Sequence, residues 1–200
     1  MKNKCKFCFL DKTKTYNTIF EETENFIVLP ALGSLVDGYI LIITKQHYFN
    51  MYELNDNIKN EYLNLIQKYR NIFKQIYGKY PIVFEHGSSK NSPTTSSASI
   101  IHAHTHIVNH NYLDEKNILN KFYFYKIDFF RYNPNIKNYI FYISPSNKIY
   151  LTENFESKSQ TMRILIAKDL KIENKFNWRK EPFFENINST IKKIKDFKKK

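Results

Sequence analysis

The chain has 200 residues and a formal net charge of +12, a length that suits one domain with an extension or two small domains. Hydrophobic residues make up 42% of it and glycine occurs only four times, which excludes wholesale disorder and collagen-like repeats. Its mean hydropathy is −0.54, and no apolar run approaches the ~20 residues of a membrane span, so we expect no membrane association.

Five short strands are predicted in the first 110 residues. Each is a short run rich in β-branched, aromatic or aliphatic residues, and turn-rich or Ser/Thr-rich loops separate several of them. The strands cover, in chain order, residues 16–20, 26–29, 38–44, 81–84 and 99–108.

A long amphipathic helix is predicted over residues 55–77, between the third and fourth of these strands. Eight apolar residues recur there at helical spacing, so one face of the helix is expected to pack on the sheet. Gly78 follows at a position typical of the end of a helix.

Residues 111–200 form an aromatic-rich extension of mixed structure. Strands are predicted over 122–130, 138–143 and 148–151, and helices over 160–170 and 185–197. The predicted fold class is therefore α+β, with an antiparallel sheet, a long packed helix and an aromatic-rich C-terminal α/β extension. We divide the chain into a domain over 1–110 and an extension over 111–200 that packs on the same domain.

The positive charge comes almost entirely from lysine. Lys and Arg together number 31, and arginine occurs only at positions 70, 131, 163 and 179. The abundance of Asn, Ile, Tyr, Phe and Lys is typical of an AT-rich coding sequence, so we interpret most of the charge as lysine on solvated faces. The alternative is attraction to a phosphate-rich partner. Nucleic acid is thus a partner that the charge allows but does not favour.

Three histidines alternate along the last predicted strand. His102, His104 and His106 are two residues apart, so they are expected to project from one face of it. A single buried histidine is usually an ordinary core residue, but three histidines on one face of a strand indicate a metal-binding or catalytic role. Two kinds fit: a metal site in which two or three of them are ligands, and nucleophilic attack by a neutral imidazole on phosphorus.

The two cysteines, Cys5 and Cys8, form a C-x-x-C pair near the start of the chain. Such a pair is typical either of a redox centre or of half a metal site. The redox interpretation expects a buried strand before the pair, and only a short polar segment precedes Cys5. Half a zinc site is therefore favoured. The next histidine is His47, so the remaining ligands must come from distant parts of the chain.

Together these residues resemble the histidine triad (HIT) superfamily of nucleotide hydrolases and transferases. Residues 102–108 read HAHTHIV and match its H-φ-H-φ-H-φ-φ signature, in which φ is hydrophobic. The apolar strand over 38–44 is followed by Lys45 and His47, similar to the strand ending in K-x-H of that superfamily. The C-x-x-C pair lies where zinc-bearing members have theirs. The resemblance implies a five-stranded sheet per protomer and, often, a homodimer.

The resemblance also implies a role for each histidine. His104 corresponds to the nucleophile that attacks the α-phosphorus and becomes a nucleotidyl-histidine, and His106 to a hydrogen-bond donor to the phosphate. His102 belongs to the triad and is also implied as a metal ligand. The implied structural Zn²⁺ site consists of Cys5, Cys8, His47 and His102.

Four further residues are candidates for substrate binding. Ser99 is placed to donate to a phosphate oxygen, and His86 and Gly87 to line the pocket. Arg163 is a candidate phosphate clamp, because a guanidinium binds phosphate with two donors at once. Ordinary structural roles are the alternative for each: a strand hydroxyl, a turn at a strand end and a surface salt bridge.

The sequence also departs from the superfamily. Ala31 stands where many compact members carry an Asp for the ribose hydroxyls, and Ser97 and Ala98 stand where they carry Gly-Gln. A standard adenosine substrate is therefore not assumed. The third histidine argues against the uridylyltransferase branch, which resembles H-P-H-x-Q, and so favours hydrolysis over transfer.

The predicted function is hydrolysis of a phosphoanhydride or phosphoramidate bond of a small nucleotide. One alternative is a nucleotide-binding regulatory module with little activity. Another is a nucleotidyltransferase or an enzyme that removes nucleotidyl adducts from nucleic-acid ends. The N-terminal residues lack the apolar stretch of a secretory signal, so a cytoplasmic location is expected.

Overall fold

The computed structural model describes residues 5–88, 100–110, 125–126, 138–153 and 159–200. Ser99, a predicted substrate-binding residue, and most of the predicted strand over 122–130 lie outside this part of the chain. The strands are β1 (Glu21–Glu22), β2 (Phe26–Pro30), β3 (Tyr39–Thr44), β4 (Ile82–Ser88), β5 (His104–Val108), β6 (Tyr125–Lys126), β7 (Asn138–Ile143) and β8 (Ile149–Glu153). The helices are α1 (Asp56–Tyr77), α2 (Thr161–Asp169) and α3 (Phe184–Lys198).

All described strands belong to one antiparallel sheet in the order β1-β2-β3-β5-β4-β7-β8-β6. The predicted α+β class is confirmed. The sheet is larger than the five strands implied by the resemblance, because β7 pairs with the free edge of β4 and brings β8 and β6 with it. The division of the chain near residue 110 stays a prediction.

Helix α1 covers one face of the sheet. The Asn55 side chain accepts a hydrogen bond from the Ile58 amide at its start, and Gly78 ends it with a φ of +75°, in the left-handed region that glycine tolerates. The buried residues of α1 include Tyr62, Leu65, Ile66, Tyr69 and Phe73, which join a core cluster with Phe26, Val28, Ile40, Ile42, Val83 and Ile107.

Helix α2 packs against the opposite face. Its residues Met162, Leu165 and Ile166 share a second cluster with Leu41, Ile43 and Phe84. Side chains alternate along a strand, so residues of β5 divide between the two faces. Ile107 belongs to the cluster under α1, and the histidines of β5 project towards the second face.

Helix α3 is tied to the sheet through Asp37, which precedes β3. The Asp37 carboxylate accepts a hydrogen bond from the Ser189 hydroxyl at 2.9 Å and one from the Tyr77 hydroxyl at 3.0 Å, and it forms an ion pair with Lys193. The residues near the C-terminus are thereby fixed against both α1 and the start of β3.

Two predicted strands differ from the structure. Residues 16–20 were expected to be extended, but Thr15–Asn17 form a 3-10 turn, and the strand follows at Glu21. In the predicted strand over 99–108, the regular part is only His104–Val108, and His102 lies in a bend before it. The bend lets the His102 side chain leave the row formed by His104 and His106. None of the helices in the described part of the chain meets the length and hydrophobicity that a transmembrane helix needs.

Candidate functional site

A cavity of about 290 Å³ opens over β3, β5 and β4 on the face covered by α2. His104 and His106 from β5 and Phe84 and His86 from β4 line it. Antiparallel register places Leu41 opposite His106 and Ile43 opposite His104, so aliphatic side chains border the imidazoles. Further walls come from the N-terminal segment, from the end of β2 and the residues after it, and from the start of α2 and the segment that follows it. They include Lys6, Phe7, Phe9, Leu10, Asp11, Leu29, Ala31, Gln160, Met162, Arg163 and Trp178.

Beside this cavity, four predicted metal ligands converge. One ligand atom from each of Cys5, Cys8, His47 and His102 lies within 4.8 Å of the others. The Cys5 Sγ is 3.3 Å from His102 Nδ1, the Cys8 Sγ is 3.2 Å from His47 Nδ1, and the Cys8 Sγ is 3.6 Å from His102 Nδ1. Ligand atoms around tetrahedral zinc are about 3.3–3.8 Å apart, given its bond lengths to S and N.

The other side of the His102 ring fixes its ligand atom. His102 Nε2 is 2.8 Å from the main-chain carbonyl oxygen of Thr44 and 3.0 Å from its hydroxyl. A carbonyl only accepts, so Nε2 carries the proton and Nδ1 presents a lone pair to the cysteines. Such an outer hydrogen bond is what orients histidine ligands of metals. The donor set and this tautomer fit a closed structural zinc site, and the four residues can hold the ion.

His104 is oriented by a backbone group. Its Nδ1 lies 2.6 Å from the carbonyl oxygen of His102. Because that oxygen can only accept, Nδ1 carries the proton and Nε2 keeps its lone pair. Burial lowers the pKa of His104, and the hydrogen bond to His102 opposes that shift only in part. The ring is therefore neutral near pH 7, as a nucleophile must be.

His106 stands next to His104 in the same cavity. The two ring centroids are 4.9 Å apart, and the His106 ring stacks on Phe84 with a centroid distance of 4.5 Å and an interplanar angle of 13°. Its Nδ1 is 2.9 Å from the Tyr39 hydroxyl. Burial, His104, Arg163 and His86 together hold the pKa of His106 well below its usual range.

The remaining predicted binding residues of β4 occupy different places. His86 lines the cavity, and burial lowers its pKa to about 4. Gly87 is buried, is not among the residues lining the cavity, and faces Tyr139: a Cβ added to it would stand 2.3 Å from the ring of that tyrosine. The structure thus brings His86, but not Gly87, to the cavity.

Arg163 is buried rather than exposed, with 5% of its surface accessible. Its Nε donates to the carbonyl of Phe176 at 2.9 Å and its Nη2 to the carbonyl of Gly33 at 2.7 Å. Within the described part of the chain, no carboxylate lies within salt-bridge distance of it. The guanidinium lines the cavity, so a positive charge without an acidic partner stands near the histidines.

The sequence analysis did not identify several residues of the cavity. Lys6 and Phe7 lie between the two cysteines and line it. The Phe7 ring contacts both His102 and His104, with centroid distances of 5.7 and 5.3 Å. Trp178 also lines the cavity, with the Lys6 amine 4.9 Å from its ring centre. Lys6 and Phe7 could have been suspected because they lie inside the C-x-x-C pair, whereas Trp178 is brought to the cavity by tertiary packing alone.

The amino-acid sequence matches one family over most of its length. A family model described as "Protein similar to CwfJ C-terminal" matches residues 1–124. The chain belongs to this family. The matched residues include both cysteines, His47 and all three histidines of the triad. No curated protein matches it.

Several solved structures that are similar to this chain are described as histidine triad proteins. One is a hypothetical histidine triad nucleotide-binding protein from Sulfolobus tokodaii, 20% identical, with a TM-score of 0.42 over 52% of this chain and 67% of that one. A HIT family hydrolase from Clostridium thermocellum is 20% identical, with a TM-score of 0.40 over 54% of this chain and 90% of the other. A zinc-bound histidine triad family protein from Mycobacterium smegmatis is 18% identical, with a TM-score of 0.44 over 57% and 82%.

Proposed function

We propose that the chain hydrolyses nucleotides at the α-phosphorus, breaking a phosphoanhydride or phosphoramidate bond through a nucleotidyl-His104 intermediate. The observation that carries this proposal is the hydrogen bond from His104 Nδ1 to the His102 carbonyl, at 2.6 Å. It leaves Nε2 as the nucleophilic atom of a neutral ring in a cavity that also contains His106 and Arg163.

The reaction takes two displacement steps. In the first, the lone pair on His104 Nε2 forms a bond to the α-phosphorus, and the bond from phosphorus to the leaving group breaks. The leaving group keeps the electron pair and takes a proton from solvent. In the second, water attacks phosphorus, the N–P bond breaks and returns its electrons to Nε2, and the water proton passes to solvent. The products are a nucleoside monophosphate and the released group.

Charge on the phosphoryl oxygens requires donors in the cavity. His106 supplies one from its imidazole, and the buried Arg163 guanidinium supplies a fixed positive charge. Groups held in place before the reaction stabilise developing charge without reorganising. Ser99 remains a proposed donor, and His86 a proposed wall residue for a small-molecule substrate.

The rest of the cavity suits a base and its sugar. Phe7, Leu29, Leu41 and Trp178 give it apolar walls. Ala31 also lines it, and its methyl group offers no oxygen to the ribose hydroxyls. We therefore expect weaker selection for ribose than a carboxylate at that place would give.

Zinc would be held by Cys5, Cys8, His47 and His102, and its contribution is structural because all four coordination positions are filled by protein. A homodimer and a cytoplasmic location are further parts of the proposal. Light scattering coupled to size-exclusion chromatography would test the first, and cell fractionation the second.

The proposal is tested by trapping the intermediate. The zinc-loaded protein is incubated with nucleotides carrying ³²P at the α position and quenched in alkali, and the label on the protein is then measured. The panel contains the four nucleoside triphosphates, an adenosine phosphoramidate and a 5′-adenylated oligonucleotide. We expect an acid-labile, alkali-stable label that is absent from His104→Ala.

A matched control is His110→Asn. His110 is buried against Asp169, at 3.4 Å, outside the cavity, so this variant is expected to keep the label. An unlabelled wild type that still binds nucleotides would overturn the proposal in favour of a regulatory module. Labelling only by the adenylated oligonucleotide would favour action on nucleic-acid ends.

A further inference from the structure

Tyr39 is a buried tyrosine whose hydroxyl meets the third histidine of the triad. It begins β3, is fully buried, and its Oη is 2.9 Å from His106 Nδ1. The two rings meet edge to face, with a centroid distance of 5.7 Å and an interplanar angle of 65°. This contact joins neighbouring strands from positions 67 residues apart in the chain.

The direction of this hydrogen bond follows from the neighbour of Tyr39. The Arg163 guanidinium lies beside it, with its Cζ 5.6 Å from the ring centre. A guanidinium has donors and no acceptor, so Arg163 cannot accept the phenol proton. Burial raises the pKa of Tyr39, so the phenol keeps its proton. Among the described residues, the side-chain partner of the Tyr39 hydroxyl is His106 Nδ1, and a buried hydroxyl left without an acceptor is costly, so we assign Nδ1 as the acceptor of that proton.

The acceptor role of Nδ1 fixes the other nitrogen of the ring. A neutral imidazole has one N–H and one lone pair, so His106 carries its proton on Nε2. Phe84 and His104 hold the plane of the ring by stacking and edge contact, but apolar contact does not distinguish the two nitrogens. The Tyr39 hydroxyl does.

We infer that Tyr39 is a positioning residue that keeps His106 in the tautomer with its proton on Nε2, and that Arg163 supports Tyr39 in this role. The inference deepens the proposed function, since it rests on His106 donating that proton to a phosphoryl oxygen. It also gives a purpose to α2. Arg163 lies beyond residues 1–124 that the family model matches, yet its guanidinium packs over the ring of the tyrosine that orients a triad histidine.

The test is Tyr39→Phe, read by ¹⁵N NMR of the histidine rings in the zinc-loaded protein at neutral pH. Signals of His106 are assigned by their loss in His106→Asn. In the wild type, we expect a protonated Nε2 and a lone pair on Nδ1. In Tyr39→Phe, we expect both tautomers of His106 to be populated. We also expect kcat to fall roughly 10- to 100-fold, the scale of a misplaced catalytic group, with a smaller change in KM.

The matched control is Tyr62→Phe. It also removes a buried hydroxyl bonded to β5, since Tyr62 Oη is 2.7 Å from Thr105 Oγ1, but on the opposite face of the strand. This variant is expected to leave the His106 tautomer unchanged, so a general loosening of β5 would be recognised.

Two results would overturn the inference: a wild-type His106 with its proton on Nδ1, or an unchanged tautomer in Tyr39→Phe. Both results are read from the NMR spectrum of the His106 ring and do not depend on whether the protein turns over a nucleotide. If instead the tautomer shifts as expected but the wild type forms no labelled intermediate, the proposed function fails and the role of Tyr39 stands.

Discussion

His102 and His104 are joined by a hydrogen bond from the Nδ1–H of His104 to the main-chain carbonyl of His102, at 2.6 Å. The His102 side chain faces the two cysteines, with its Nδ1 3.3 Å from the Cys5 Sγ. One residue thus presents its imidazole to the zinc site and its carbonyl to the proposed nucleophile. A side chain and the carbonyl of the same residue point in different directions, so His102 can serve both sites at once.

Removal of one zinc ligand should therefore weaken both stability and catalysis. In Cys5→Ser we expect loss of stoichiometric zinc, measured by plasma emission spectrometry. A site saturated about 1,000-fold over its Kd stabilises the fold by about 4 kcal/mol, so the melting temperature should fall by roughly 10 °C. Lys6→Ala, next to the ligand, is the control and should keep its zinc. Full zinc content in Cys5→Ser would contradict the assignment.

Replacement of His106 should impair the chemical step more than binding. His106→Asn keeps a polar side chain but loses the imidazole stacked on Phe84. Loss of one donor to a charged transition state costs about 10²–10³-fold in rate, so we expect kcat to fall by that factor while label transfer to His104 becomes correspondingly slow. Single-turnover kinetics would measure the rate of label transfer to His104. An unchanged rate would show that His106 does not contact the phosphoryl group.

Arg163→Lys should be harmful although the charge is kept. A lysine amine cannot reach the carbonyls of Gly33 and Phe176 together, as the guanidinium does, because it is a point donor rather than a planar fork. Each lost bond from a charged donor costs about 1–3 kcal/mol. Urea unfolding should show that loss, and titration with a nucleotide should show weaker binding. Arg179→Lys, on an exposed arginine, is the control.

Gly87→Ala separates a structural role from a substrate contact at this position. The added Cβ would stand 2.3 Å from the ring of Tyr139, whose hydroxyl is held by Glu85. Forcing a methyl group into a packed core costs about 1–3 kcal/mol. We expect that loss in urea unfolding, with KM little changed. A raised KM at unchanged stability would instead support the predicted contact with substrate.

Glu85 should make stability depend on pH. It is buried between the Met51 amide and the Tyr139 hydroxyl. Burial raises its pKa from the ordinary 4.5 to about 8 even though those two hydrogen bonds oppose the shift, and Glu53 raises it further. The folded protein therefore holds this proton more tightly than the unfolded chain. The protonated Glu85 therefore adds to the free energy of unfolding. This added stability is complete below about pH 4.5 and is lost as the pH rises towards 8, at about 1.4 kcal/mol per pH unit.

The measurement is the free energy of unfolding in urea at pH 5.5, 6.5 and 7.5 for the wild type and Glu85→Gln. The glutamine can accept from the Met51 amide through its oxygen and direct its amide N–H to the Tyr139 oxygen, as a protonated carboxyl would, but it does not titrate. We expect the free energy of unfolding of the wild type, relative to that of Glu85→Gln, to fall as the pH rises. Histidines titrate in the same range in both proteins, so the difference between them isolates Glu85. Parallel pH profiles would refute the assignment.

Much of the fold could be read from local patterns. The helix predicted over 55–77 is α1, Asp56–Tyr77, and the strand predicted over 138–143 is β7. Both are long or regular enough for their periodicity to be decisive. The strand predicted over 16–20 failed because Thr15–Asn17 turn back on themselves through local hydrogen bonds to Thr15 and Lys14, which hydrophobicity does not report.

The amino-acid sequence by itself determined the kinds of chemical groups in the site. Two cysteines, a K-x-H histidine and an H-x-H-x-H run supply zinc ligands and imidazoles, and alternation along a strand puts His104 and His106 on one face. Only the tertiary structure decided how they are used. The bend at His102, the register that brings Tyr39 to His106, and the delivery of Arg163 by α2 depend on contacts between residues far apart in the chain. Local periodicity specifies which residues share a face, but not which distant residues they meet.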